Sequence, residues 1–253
     1  MKCIVFGHSN MTTMIMAANQ DNKILVDENN IKFSLVQFPW LKSVSPIIRI
    51  VNNDQVILND ALMMELEKAG IFEKSEETVI VSTMTGNENH IISLLKNEDP
   101  FDFILPDEED LPLEENANII SYDIMYRMIL NRVEQWWPFV RGLKKLTERR
   151  IMQVSPVPPI GDNDRILEKL DQYFKENSEN PEISSKILRY KTWRLLSKIL
   201  QDLCEKDDVE FVPVPQSMLE DGKFLSRDGW YTDATHGSPE YSKSVLKEIS
   251  SRL

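Results

Sequence analysis

Lys2-Cys3-Ile4-Val5-Phe6-Gly7-His8-Ser9-Asn10 opens the 253-residue chain and decides how the rest is read. Residues 2–6 are a short apolar run, the signature of a buried strand. Gly7 permits close packing at its end, and Ser9 or Asn10 caps a helix over Met11–Ala18. The same alternation continues along the chain. Lys32–Phe38, Ile47–Val51, Thr78–Ser82, Ile151–Val154 and Val209–Val212 read as strands. The β-branched run TVIVS at 78–82 has the composition of a strand buried on both faces. Between them, helices are expected over Asp60–Ala69, His90–Lys96, Tyr122–Arg150, Asp162–Phe174 and Ile187–Lys206, with a closing helix from Ser238-Pro239 to Leu253. Pro138 is expected to bend or break the helix over 122–150. Alternation of this kind predicts one α/β domain with a parallel sheet covered on both faces. The acidic, proline-interrupted stretch 97–121 is the exception, read as a solvated loop or part of a lid.

Composition narrows the function. Hydrophobic residues make up 42 % of the chain and charged residues 28 %, as in an ordinary folded domain. A formal net charge of −12 argues against a nucleic-acid partner, because phosphate neutralisation needs clustered Lys and Arg. The basic group between Arg141 and Arg150 reads as the solvated end of a helix, where positive charge complements the dipole. No apolar run is long enough for a membrane span, and the apolar start is too short for a signal-peptide core. Cys3 and Cys204 read as small buried hydrophobes without disulfide or zinc spacing, so a reducing cytoplasm is the expected location.

The chemistry sits in a few short motifs. The chain has three histidines, His8, His90 and His236, each in or beside one of them. Gly7-His8-Ser9-Asn10 follows the first strand, and Thr85-Gly86-Asn87-Glu88 follows the strand at 78–82. Pro156–Pro159 follows the strand at 151–154, and Asp233-Ala234-Thr235-His236 precedes the last helix. In a parallel sheet, all four fall at the carboxyl edge, where sites gather. Ester hydrolysis needs an activated hydroxyl, a base, an orienting acid and donors aimed at the developing oxyanion. Ser9, His236 and Asp233 supply the first three. The Asn87 amide and the Ser9 N–H supply the fourth, one such donor being worth roughly 3–4 kcal/mol in the transition state. His8, Asn10, Pro158 and Trp230 are the residues expected to border the substrate.

This order of motifs resembles the SGNH/GDSL hydrolase superfamily: Gly-x-Ser after the first strand, Gly-Asn-acid after a middle one, and Asp-x-x-His before a C-terminal helix. The likeness extends to a bacterial subgroup through Pro158-Pro159, Trp193-Arg194-Leu195 with Cys204, Glu220-Asp221-Gly222-Lys223-Phe224-Leu225, and Asp233–Ser238 followed by Tyr241. Residues 11–77 and 97–150 match weakly. The resemblance implies a three-layer α/β/α fold with a flavodoxin-like parallel sheet of about five strands. It also implies Ser9 as nucleophile, Asn87 as oxyanion donor, His236 as base and Asp233 as its partner. His8 and Glu88 stand where the family usually has aspartate. The family's second block supplies a glycine N–H to the oxyanion; no glycine occurs between Gly7 and Gly70, which leaves a backbone N–H near Asn52–Asn53 for that part.

Simpler readings exist for each residue. Ser9 alone is a helix cap and Asp233 alone a turn residue. His90 reads as a surface histidine at a helix start, Trp136-Trp137 as packing, and Met11, Met14 and Met16 as core filler. His8, Asp233 and His236 also form a zinc-type ligand set, but that would leave Ser9 and Asn87 idle. The reading adopted is a serine esterase that needs no cofactor and no metal, acting on a small acyl ester or acylated sugar. The alternatives are an acyltransferase with the same triad and a binding protein on a decayed scaffold.

Overall fold

The structure, a computed structural model, describes residues 1–21, 30–39, 46–52, 55–73, 77–85, 87–176, 178 and 180–253. The first strand, β1 (Lys2–Gly7), alternates its buried side chains. Ile4 and Phe6 enter one core, Cys3 and Val5 the other, and all four are fully buried. A strand apolar on both faces needs cover on both, which sets the three-layer architecture.

Helix α1 (Asn10–Gln20) follows β1, and β2 (Lys32–Gln37) pairs parallel to β1. Strands β3 (Ile48–Asn52) and β4 (Gln55–Leu58) form a separate antiparallel hairpin. The strand expected at 47–51 therefore lies outside the main sheet. Helix α2 (Asp60–Lys68) is capped by the Asn59 side chain, and β5 (Thr78–Ser82) is buried along its length. After α3 (Glu88–Ser93) come the two-residue strands β6 (Phe101–Asp102) and β7 (Asn118–Ile119). Helices α4 (Tyr122–Val133) and α5 (Trp137–Thr147) lead to β8 (Ile151–Val154). The short helices α6 (Asn163–Glu168) and α7 (Gln172–Glu176) precede the long α8 (Lys186–Lys206) and β9 (Glu210–Val212). A hairpin of β10 (Leu219–Glu220) and β11 (Phe224–Leu225) and the closing α9 (Pro239–Ser250) complete the order.

The main sheet runs β2-β1-β5-β8-β9 with every pairing parallel. This is the five-stranded order of a flavodoxin-like sheet. Its order reverses at β1, so a crevice opens between the carboxyl ends of β1 and β5, the topological switch point where such sheets bind ligands. On one face, β1, β5 and β8 pack through Ile4, Ile80 and Ile151 against α2, α4, α5 and the Leu195–Leu203 part of α8. On the other, Val5, Val81 and Met152 pack against Met11 and Met14 of α1 and Val245, Leu246 and Ile249 of α9. Met16, by contrast, is largely exposed.

Two expected helices are each divided. The break in 122–150 falls at Glu134–Trp136, before the proline, and Pro138 sits in the first turn of α5, where its missing N–H costs nothing. Trp136 and Trp137 are both buried in the core at this corner. The helix expected over 162–174 stops at Lys169 and restarts beyond Asp171, with Leu170 turned into the core.

The stretch at 97–121 is tied down. Phe103 and Leu105 are buried. Asp102 and Lys191, each 1 % exposed, form an ion pair at 2.9 Å. The Asp102 carboxylate also accepts the N–H groups of Phe103 and Glu114, and Lys191 Nζ donates to the Pro112 carbonyl. Among the described residues no helix is long and apolar enough to cross a membrane.

Candidate active site

The turn after β1 depends on one close approach. A Cβ at Gly7 would lie 2.0 Å from Thr83 Oγ1, and that hydroxyl and the Thr83 N–H both donate to the Phe6 carbonyl, at 3.1 and 2.8 Å. Only glycine lets the two strand ends meet so tightly. The next residues are thereby set over the switch point. Asn10 Nδ2 donates to Thr85 Oγ1 at 3.1 Å, clamping the start of α1 to the loop after β5. Ser9 occupies the N-cap position of α1, yet its side chain does not cap the helix. Among the described residues its hydroxyl makes no hydrogen bond.

Asn87 lies in the loop between β5 and α3. It precedes α3 without capping it, which leaves its amide available, whereas Gly86 lies outside the described residues. The following Glu88 is buried and accepts the Trp136 indole N–H at 2.7 Å, anchoring this loop to the α4–α5 corner. Asn53, one place considered for a further oxyanion donor, also lies outside the described residues.

The Asp233–His236 segment is a loop closed at its base. Trp230 and Gly237 pair across it as an antiparallel bridge, Ser238 N–H donates to the Gly229 carbonyl at 2.8 Å, and Ser238 Oγ donates to the Asp228 carbonyl. Gly237 is required there, because a Cβ would meet the buried Tyr241 ring at 2.4 Å. Within the loop Asp233 Oδ1 accepts the N–H groups of Thr235 and His236, at 3.0 and 2.9 Å. Its Oδ2 lies 2.9 Å from His236 Nδ1. A carboxylate so held fixes the ring's orientation and selects the tautomer with its proton on Nδ1, leaving Nε2 as the basic nitrogen.

The loop meets the Ser9 turn because α9 packs on α1. Ser242 Oγ donates to Thr13 Oγ1 at 2.9 Å, and one small cavity is lined by Asn10 and Thr85 on one side and Gly237 and Tyr241 on the other. The neighbours in sequence of Ser9 and of His236 thus face a common space. Electrostatics gives the same picture. Burial lowers the pKa of His8, and the charge of His236 lowers it further. Burial opposes the Asp233 charge, but the hydrogen bond and charge of His236 and the two N–H donors outweigh it and hold that carboxyl low. Burial opposes protonation of His236, but Asp233 and Asp171 outweigh it and hold its pKa above the ordinary value.

Three further residues belong to this neighbourhood. Asp171, half-buried, accepts Thr235 Oγ1 at 3.2 Å, and its own pKa is raised by burial and by the Asp233 charge. Arg165 donates to the Tyr231 carbonyl at 2.6 Å, bracing the loop from α6. His90 corrects the sequence reading: it is buried in α3, not on the surface. Burial, with the charges of His236 and Arg189, drives its pKa down to about 3, so it is neutral. Of the residues expected to border the substrate, His8 and Asn10 sit at the Ser9 turn. Trp230 is half-buried at the base of the loop, its indole N–H bonded to the Leu225 carbonyl, and Pro158 is buried.

No family model matches this sequence, and no curated protein matches it. Solved structures similar to it include proteins described as SGNH/GDSL hydrolases, acylhydrolases, esterases and an acetyltransferase. One is an acetyl xylan esterase, 10 % identical, with all of both chains covered and a TM-score of 0.49. Another is a GDSL-like lipase from Bacteroides thetaiotaomicron, 12 % identical over 99 % of this chain and 86 % of that one, TM-score 0.45. A third is the periplasmic domain of a lipopolysaccharide acetyltransferase from Salmonella ser. Paratyphi A, 11 % identical over 99 % and 82 %, TM-score 0.46.

Proposed function

We propose that the protein is a serine esterase that removes an O-acyl group, acetyl among them, from a carbohydrate or small metabolite. The observation that carries this reading is the 2.9 Å contact between His236 Nδ1 and Asp233 Oδ2, in a loop closed beside an uncapped serine at the switch point. A helix-capping serine would spend its hydroxyl on the helix; Ser9 does not.

In the proposed reaction, His236 Nε2 takes the Ser9 proton as Ser9 Oγ attacks the acyl carbon. The carbonyl π electrons move to oxygen, and the oxyanion accepts hydrogen bonds from the Ser9 N–H and the Asn87 amide. The oxyanion collapses, the ester C–O bond breaks, and the leaving alcohol takes the proton from His236. Water, deprotonated by His236, then attacks the acyl-serine; the acyl C–Oγ bond breaks, Ser9 Oγ takes the proton back from His236, and the acid leaves. Asp233 stabilises the imidazolium in both halves without itself being protonated.

The reading is tested with a fluorophosphonate and a short-chain aryl acetate. We expect one covalent adduct, on Ser9 by peptide mass spectrometry. We also expect Ser9→Ala to lose turnover by about four orders of magnitude or more while melting as the parent does. Folded parent protein that takes no label would overturn the proposal.

A further inference from the structure

A cavity of ≈ 350 Å³ lies along α8, apart from the Ser9 turn. Trp193, Ser197 and Gln201 line one wall. They are four residues apart, hence stacked on one face of the helix. Phe211 of β9 and Val214 and Gln216 beyond it form the facing wall. The volume is within the range of small-molecule sites, about 300–1,000 Å³. Ser155, the residue after β8, lines this cavity and also the small one shared by Asn10 and Gly237. Both therefore open on the same edge of the sheet. With strands about 4.8 Å apart, the β8–β9 end is roughly 10–15 Å from the β1 end.

The lining selects its ligand. Ser197 is 3 % exposed, and its Oγ has no hydrogen-bond partner among the described residues. A buried hydroxyl without a partner costs free energy that a ligand hydroxyl would return. Gln201 and Gln216 are exposed, and their carboxamides make no hydrogen bond among the described residues. Among the described residues the charges on the wall are Arg194 and Glu108, paired at 3.2 Å; Glu108 also accepts the Tyr190 hydroxyl and holds the neighbouring Lys223 at 3.6 Å. An anionic ligand would want an uncommitted cation. An alkyl chain would strip water from the two carboxamides and leave the Ser197 hydroxyl unpaired. What fits is a neutral ring with hydroxyls at its rim and a C–H face to lay on the half-buried Phe211, with the buried Trp193 behind the wall.

We propose that this cavity is a sugar-binding subsite, which holds a neutral sugar unit beyond the one that carries the ester. The link to catalysis rests on the esterase reading; the binding itself does not.

The test is a titration of the ¹⁵N-labelled full chain with cellotriose, xylotriose and triacetylchitotriose, and with glucose against glucose 6-phosphate. The indole N–H of Trp193, which donates to the Pro156 carbonyl at 2.9 Å, is the reporter, assigned with Trp193→Phe. We expect at least one trisaccharide to shift it. Gln201→Ala/Gln216→Ala, both at exposed positions, should weaken that binding about tenfold or more at unchanged Tm. A Trp193 signal that no trisaccharide moves, a double variant that binds as the parent does, or a preference for glucose 6-phosphate would overturn the inference. Fluorophosphonate labelling of the same samples separates the two proposals. Labelled protein that ignores sugars overturns the subsite alone, and sugar-binding protein that takes no label overturns the esterase alone.

Discussion

As the proposed base, His236 must be neutral, and its surroundings make that a function of pH. Asp233 and Asp171 both favour the imidazolium, so the ring loses its proton above the ordinary histidine value of 6.5. The expected kcat/KM for an aryl acetate therefore climbs with pH through a midpoint above 6.5. Asp171→Asn removes one of the two negative charges and should move that midpoint to lower pH while the plateau changes little. Asp233→Asn, which also loses the tautomer, should cut the plateau by about 10⁴. His90 has the opposite linkage. Unfolded, it binds a proton below about 6.5; folded, it does so only below about 3. Between those values the unfolded chain holds the extra proton, so stability falls as pH falls, by up to about 1.4 kcal/mol per unit. His90→Asn should flatten this slope in urea titrations run from pH 7 to 4. The residues proposed for the site, Ser9, Asn87, Asp233 and His236, are legible as candidates in the sequence, because strand-end turns and an Asp-x-x-His spacing are local signals. Asp171 could not. Nothing in its own neighbourhood says that the helix stops at Lys169 and that Asp171 turns towards Thr235.

The elements that carry the site are set by contacts rather than by propensity. Gly7→Ala would drive a methyl into Thr83 Oγ1 and its bond to the Phe6 carbonyl, both at the carboxyl end of the β1–β5 pair. We expect a loss of about 1–3 kcal/mol in denaturant unfolding, the usual cost of overpacking, with esterase turnover falling further as the Ser9 turn is pushed from the crevice. The sheet was legible because each of its strands is a short apolar run next to a breaker. The run at 47–51 looked the same. It left the sheet because a second strand, Gln55–Leu58, lies close enough to fold back on it as a hairpin. Helix boundaries were legible only in part. A proline marks the first turn of α5 as readily as a break in one long helix, and only the packing of the Trp136-Trp137 corner distinguishes the two.

Across the whole molecule, α8 holds the two cores and the 97–121 stretch together. Its Lys191 reaches through the interior to Asp102, and neither partner sees solvent. Removing the lysine would strand a buried carboxylate. Lys191→Met is therefore expected to cost about 3–5 kcal/mol, and Asp102→Leu/Lys191→Met, which leaves no charge behind, appreciably less. Equilibrium unfolding of the two variants gives the comparison. The packing of α9 on α1 has a different consequence. Ser9 and His236 sit 227 positions apart in the sequence, and closing a loop of that length costs about 5 kcal/mol of chain entropy. Nothing local repays that cost; Ser242 on Thr13 and the buried faces around them must. On the esterase reading, Ser9 therefore has its base only once α9 is docked on α1, so turnover would report that the two ends of the chain have met.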